Sequence, residues 1–271
     1  MMQWLVAALY GAVQGFTEFL PISSDGHLAL AGMLFGDVYA LPLGTVVLLH
    51  AGTLVATGLV LRADATDVAR ASIAALSAPR SLRDTPAGRT ALTVLITSIP
   101  TAIVGLALHD VVEPLAARPE VVGACLLLTA VLVGSTWRTG PKTTLEEPSL
   151  AIGPALFLGV AQGLAVLPGL SRSGTTIAVA MWLGLRPSAA FRLSFLLSLP
   201  AVLGALLLEL RHPEVWREAG WAGIFGAVVA FFTGVAALLW VREWLAKGRF
   251  AVFAIYCTLL GGGLIAYHFL P

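Results

Sequence analysis

Between Gln14 and His27 the chain reads QGFTEFLPISSDGH, setting a carboxylate (Glu18), two adjacent hydroxyls (Ser23 and Ser24) and an imidazole (His27) among hydrophobic neighbours, beside Pro21 and Gly26. Ser24 and His27 are three residues apart. On a helix that begins near Ser24 they share a face and reach one centre from the same side. That is the arrangement of a nucleophile with its base or proton donor. Such hydroxyls also cap helices, and Ser23 or Ser24 can do only that. Glu18 follows Gln14 by four residues, which puts a carboxylate and an amide oxygen on one helix face. The pair suits a hard cation, Mg²⁺ or Ca²⁺, whose shell would be completed by phosphate oxygens. The alternative is that Glu18 pairs with Arg172 and binds no metal.

A second string, from Gln162 to Thr176, reads QGLAVLPGLSRSGTT and carries one guanidinium, Arg172, in a short segment with Pro168, Gly169, Ser171, Ser173 and Gly174. Glycine lets backbone approach a ligand closely, hydroxyls donate, and arginine matches phosphate oxygens with two parallel hydrogen bonds. A phosphate fits this segment best. Arg172 reads otherwise as a structural partner of Glu18 or as a charge barrier in a pore.

The elements that must position these groups lie in a membrane. The chain has 271 residues, is 58% hydrophobic and 11% charged, and has a mean hydropathy of +0.90. An ionisable group at the centre of a membrane helix costs roughly 2.5–3.5 kcal/mol, so Glu18 needs partners or water there. Spanning ~30 Å of hydrocarbon takes about 20 apolar residues. Six segments qualify, at approximately 42–61, 90–108, 121–137, 189–209, 220–241 and 250–269. Two further apolar regions, 2–36 and 151–185, are interrupted by Pro, Gly and polar residues, and read as re-entrant helix-loop-helix hairpins. In each, the break points the N-terminus of a second half-helix into the site, where free N–H groups and the helix dipole favour an anion. The first stretch has no basic flank and no cleavage site, so no cleaved signal peptide is expected. Cys125 and Cys257 lie in apolar runs and read as buried small hydrophobes.

The two interrupted regions match one another without a gap at an offset of 148 residues: Gln14 with Gln162, Gly15 with Gly163, Ser23 with Ser171 and Gly26 with Gly174. At the same offset His50 stands against Ser198. One hairpin and three spans per half make the second half upside down relative to the first, so the halves are inverted repeats with a site near the midplane. The expected fold is an all-α integral membrane protein with six transmembrane helices plus two re-entrant hairpins. It forms a single membrane domain, with repeat 1 at about 1–137 and repeat 2 at about 151–271, joined by a short cytoplasmic loop, 138–150. Twelve basic residues fall in the loops 62–89, 138–150, 186–192 and 242–249. The other side has Arg118, Arg211 and Arg217, and carries Asp37, Asp110, Glu113, Glu120, Glu214 and Glu218. The basic side is expected to be cytoplasmic, with both termini and the first hairpin facing outward. The loop 62–89 reads as a connector, partly helical from Thr66 to Leu76.

The string QGFTEFLPISSDGHL, the later LPGLSRSGTT and the connecting spans, including FRLSFLLSLP, resemble the undecaprenyl pyrophosphate phosphatase family of bacteria, also called bacitracin resistance protein. The similarity covers essentially the whole chain, and both motifs are specific. The resemblance implies removal of one phosphate from the C55 polyprenyl pyrophosphate released by cell-wall synthesis. That would regenerate the monophosphate carrier for peptidoglycan synthesis and confer bacitracin resistance. It places the protein in the bacterial cytoplasmic membrane, with the site open to the outer side and a divalent cation required. The family's Glu/Gln-xxx-Glu motif falls on Gln14 and Glu18, its paired serines and histidine on Ser23, Ser24 and His27, and its PGxSRSGxT motif on Pro168, Gly169, Ser171, Arg172, Ser173, Gly174 and Thr176. The arginine is the expected phosphate clamp. Two departures stand out. Asp25 replaces the usual Ser or Thr beside the anion site, and should either help hold the cation or point away. Cys257 follows Tyr256 where the family commonly has Arg, a loss expected to matter little to chemistry.

The catalytic residues expected are Glu18, Ser24, His27 and Arg172, with Ser23, Ser171, Ser173, Gly174 and Thr176 on the phosphate and Glu18 with Gln14 on the cation. Either Ser24 attacks the terminal phosphorus with help from His27, or His27 activates a water. The expected partners are the polyprenyl pyrophosphate lipid and the membrane, with no nucleic acid; oligomeric state is left open. The runner-up is a polyprenyl phosphate flippase using the same midplane site, since inverted repeats also serve alternating access. A channel for a small anion gives no reason for Ser24 and His27 to be neighbours.

Overall fold

A computed structural model describes residues 2–35, 42–139, 143–209, 211 and 213–269. Asp37 and Lys142, which entered the loop charges, lie outside the described residues, as do the side chains of Glu214, Arg217 and Glu218. Helices α1 (Met2–Phe19) and α2 (Ser24–Phe35) flank the first break, followed by α3 (Leu43–Val60). Helices α4 (Arg62–Ala74) and α5 (Ser81–Asp84) form the connector, which is more helical than expected. Next come α6 (Pro86–Ala116) and α7 (Pro119–Thr139). The second break separates α8 (Ile152–Leu164) from α9 (Arg172–Trp182), and α10 (Pro187–Glu209) and α11 (Pro213–Ala246) follow. A 3₁₀ turn, Phe250–Val252, leads into α12 (Phe253–Phe269).

Among the described residues, six segments are long and apolar enough to cross a membrane: Leu43–Val60, Pro86–Ala116, Pro119–Thr139, Pro187–Glu209, Ala219–Ala246 and Phe250–Phe269. They are the six expected, but the second is longer at both ends. Thr85 caps it, accepting the Gly88 N–H at 3.0 Å, and Pro86 occupies its first turn, where a missing N–H costs nothing. Its buried residues stop at Thr97, and beyond them Ile99, Ile103 and Leu106 face outward, as lipid contact requires. By contrast α2, α8 and α9, at 12, 13 and 11 residues, reach only about 16–20 Å at ~1.5 Å per residue, too short to cross.

Helices meet through small residues, because lipid is as apolar as leucine and close backbone approach supplies the attraction. Gly11 and Gly15 on α1 leave no room for a Cβ against Gly226, Ala230 and Thr233 of α11. Gly159 and Gly163 on α8 stand the same way against Thr97, Pro100, Thr101 and Val104 of α6. On α7 and α12, Gly123 and Gly261 face each other, each with a virtual Cβ 2.7 Å from the other's carbonyl oxygen. These contacts draw both breaks into the centre of the bundle. Phe19 and Leu20 from the first break pack there with Ile177, Phe191, Phe195 and Cys257.

Candidate active site

Ser23 organises the first break. Its φ of +69° is the one left-handed non-glycine conformation among the described residues, a state that costs roughly 1–2 kcal/mol. Four hydrogen bonds hold it. Ser23 Oγ accepts the Gly26 N–H at 3.2 Å, which caps α2, and the Gly169 N–H at 3.1 Å, which comes from the second break. Its carbonyl accepts the His27 N–H at 3.2 Å and lies 2.7 Å from His27 Nδ1. Gly26 is needed at this junction because a Cβ there would sit 3.0 Å from Gly169 Cα.

The second break repeats the device. Ser171 Oγ accepts the Gly174 N–H at 3.1 Å, capping α9, and lies 3.2 Å from Ser173 Oγ. Thr129 on α7 braces it, donating to the Gly169 carbonyl at 3.0 Å and accepting the Ser171 N–H at 2.9 Å. Ser173 donates to the Leu20 carbonyl at 3.3 Å, a second tie between the breaks.

With the breaks locked together, Arg172 reaches Glu18. One Glu18 oxygen is paired with Arg172 Nη2; the other accepts from Ser24 Oγ at 2.6 Å and from Gln14 Nε2 at 3.1 Å. A carboxylate only 7% exposed is thereby matched by three donors from three helices. Gln14 Oε1 stays buried without a partner among the described residues.

The structure thus gathers Gln14, Glu18, Ser24 and Arg172, with Ser23, Ser171, Ser173 and Gly174 forming the frame. It does not join Ser24 to His27, because the Ser24 hydroxyl donates to Glu18. His27 instead uses both nitrogens elsewhere. Ser23 O is an acceptor only, so Nδ1 carries the hydrogen, and Nε2 accepts from the Tyr256 hydroxyl at 2.7 Å, with the two rings stacked at 5.7 Å. Thr176 is turned away from this cluster, bonding to Ser194 Oγ at 2.6 Å and to the Arg172 carbonyl at 2.8 Å. Asp25 faces His50, with Oδ1 3.7 Å from Nε2, and His50 Nδ1 lies 3.0 Å from the Val46 carbonyl.

Tyr256 is the site residue that motif reading passed over. It lies 229 residues from His27, and no local pattern ties the two. Its neighbour Cys257 is buried and donates to the Pro21 carbonyl at 3.4 Å, so both members of that dipeptide support the first break. Beside His27 opens an apolar groove of about 520 Å³, walled by Val13, Phe16, Leu20, Trp240, Trp244 and Phe253, with Tyr256 and His27 as its polar end.

Comparison with known proteins bears on this geometry. The sequence profile described as "Bacitracin resistance protein BacA" matches residues 7–263. A protein named undecaprenyl-diphosphatase from Desulfatibacillum aliphaticivorans is 38% identical over 283 residues, covering 99% of this chain and all of that one. One of the same name from Desulfosudis oleivorans is 41% identical, covering 96% of this chain and 97% of its own. Another, from Korarchaeum cryptofilum, is 37% identical with the same coverage. With the profile spanning both breaks, five of the six long helices and most of the sixth, the chain belongs to the bacitracin resistance protein BacA family.

Proposed function

We propose that this protein is an undecaprenyl-diphosphatase, removing the terminal phosphate of C55 polyprenyl pyrophosphate and leaving the monophosphate carrier for peptidoglycan synthesis. The observation that carries this reading is the Ser24–Glu18–Arg172 cluster, built across two breaks and set near a groove suited to an isoprenoid tail. It is supported by the names of full-length relatives.

The arrangement performs the chemistry as follows. The incoming pyrophosphate competes with Glu18 for the Arg172 guanidinium, which binds phosphate oxygens with two parallel bonds. Glu18, released from that pair, takes the Ser24 proton along the 2.6 Å hydrogen bond. Ser24 Oγ attacks the terminal phosphorus, the bond to the bridging oxygen breaks, and the lipid leaves as its monophosphate. Water then splits the phosphoserine: a proton passes through the Tyr256 hydroxyl to His27 Nε2 along their 2.7 Å hydrogen bond, the Glu18 proton returns to Ser24 Oγ as its bond to phosphorus breaks, and inorganic phosphate leaves. Positioning and charge stabilisation carry most of such a transfer.

A divalent cation, Mg²⁺ or Ca²⁺, fits the donor set. Gln14 Oε1 is a buried acceptor without a partner among the described residues, beside the Glu18 carboxylate, and both are hard oxygen ligands. No three of His, Cys, Asp and Glu converge among the described residues, so phosphate oxygens would complete the shell. Such an ion supplies neutralisation of the charge on the transferring group.

The two breaks are re-entrant hairpins of inverted repeats, about 1–137 and 151–271, in this reading. Supporting it, Gly11 and Gly15 recur as Gly159 and Gly163 at the 148-residue offset and do the same packing. The Ser23–Gly26 cap likewise recurs as Ser171–Gly174. The arginine-rich end faces the cytoplasm of a bacterial cell, and the site opens outward.

The test is phosphate release from C55 pyrophosphate by purified protein in detergent, with and without a chelator. Release that disappears with the chelator and in Ser24→Ala and Arg172→Ala supports the assignment. Folded wild type that binds the lipid and releases nothing sinks it.

A further inference from the structure

Where α3 ends, α10 begins and α11 ends, a cavity of about 180 Å³ opens at the arginine-rich end of the bundle. Arg192 and Arg242 line it from two helices, and Asp64 from a third. Arg192 is oriented by Asp64, donating from Nε at 2.9 Å and from Nη2 to the same oxygen, which leaves Nη1 free. Arg242 has no hydrogen bond or ion pair with any described residue. The cavity therefore carries a surplus of positive charge and a guanidinium that no described residue binds.

Its walls are apolar. Leu61, Phe191 and Leu245 line it, each at most 4% exposed. Its level is marked on α11 itself. Trp240 and Trp244 stand within two residues of Arg242, their rings 5.2 Å apart, and tryptophan concentrates at the membrane–water boundary. Arg242 thus sits at head-group height on the side that holds most of the chain's basic residues. The cytoplasmic leaflet is the anionic one, and basic pockets between helices on that side suit lipid phosphates.

We propose that this cavity binds the phosphodiester head group of an anionic phospholipid, at a site separate from the Glu18–Arg172 cluster. Arg242 and the free Nη1 of Arg192 hold the phosphate oxygens, and Asp64 keeps Arg192 in place. The apolar walls cover the glycerol and first acyl carbons of the lipid, surface that a free phosphate ion would leave against water. Occupancy bridges the ends of α3, α10 and α11. The last of these carries Trp240 and Trp244 into the groove beside His27 from its other face.

The experiment uses the full chain in detergent and needs no turnover, so it stands apart from the phosphatase assignment. Native mass spectrometry counts retained phosphatidylglycerol, with phosphatidylcholine as the neutral comparison and inorganic phosphate as competitor. One basic residue at an anionic lipid is worth about fivefold in affinity. Arg242→Gln should lower retention by that factor, Arg192→Gln at least as much, and Arg138→Gln, a basic residue of the same end outside the cavity, not at all. Arg242 makes no hydrogen bond or ion pair with a described residue, so the lipid-free variant should keep the wild-type melting temperature. Equal retention by wild type and Arg242→Gln, or equal loss in Arg138→Gln, overturns the proposal. Displacement of the lipid by inorganic phosphate at comparable concentration overturns the lipid assignment in favour of a soluble anion.

Discussion

Ser23 and Gly169 are joined by a hydrogen bond of 3.1 Å across 146 residues of sequence, and through it the two breaks hold each other. The same Ser23 oxygen caps α2, so one atom terminates a helix and sets where the second break lies relative to the first. Arg172 reaches Glu18 only because this junction is made.

Ser23→Ala removes the cap and leaves the Gly169 N–H buried without its acceptor. Loss of a cap costs about 0.5–2 kcal/mol, and an orphaned buried donor about 1–3 kcal/mol. The variant should lose roughly 2 kcal/mol of stability by these measures and most of its phosphate release. Thermal unfolding in detergent alongside turnover checks this. Loss of turnover at unchanged stability would show Ser23 acting on substrate directly.

Breaking a buried ion pair from one side strands a charge, at a cost of about 3–5 kcal/mol, whereas removing both partners costs far less. Arg172→Ala should therefore be markedly unstable, because Glu18 stays buried beside Ser24 and Gln14. Glu18→Gln combined with Arg172→Ala should regain most of that stability and none of the activity. A double-mutant cycle on unfolding free energy reads the difference. Arg172→Lys keeps a charge but not the two-pronged grip, and at least a tenfold loss of kcat/KM is expected.

Tyr256→Phe keeps the ring over His27 and deletes the hydroxyl that Nε2 accepts from. Fold and lipid KM should hold while kcat falls about tenfold, the lower range for loss of a partner that orients a ring nitrogen. Tyr256→Ala also removes a wall of the groove and should raise KM for the C55 lipid more than for a short-chain pyrophosphate. Steady-state kinetics on both substrates separates the two effects.

Gly15→Ala places a methyl against Thr233 and Ala230 of α11 and should destabilise by about 1–3 kcal/mol through overpacking. Gly58→Ala on α3 meets nothing within 4 Å. It should instead be neutral or stabilising, by up to about 1 kcal/mol, because alanine restricts the unfolded chain and favours helix. The melting temperature should fall for Gly15→Ala and stay level or rise for Gly58→Ala.

Much of this protein is decided within short windows of sequence. Apolar run length against a ~30 Å hydrocarbon layer specifies the six long helices. Pro, Gly and Ser at 21–26 and 168–174 specify where two further helices stop and restart, and the caps Ser23–Gly26 and Ser171–Gly174 follow from spacing alone. What Glu18, Ser24, His27 and Thr176 bind is decided elsewhere. Spacing put Ser24 and His27 on one face, yet packing gave Ser24 to Glu18, His27 to Tyr256 of α12, and Thr176 to Ser194 of α10. Asp25 faces His50 on α3 for the same reason. A capping hydroxyl finds its donor three residues away along its own helix, whatever the rest of the chain does. A buried carboxylate or imidazole takes whichever donor the assembled bundle brings within reach, and that choice is settled only when α1, α2, α9 and α12 meet.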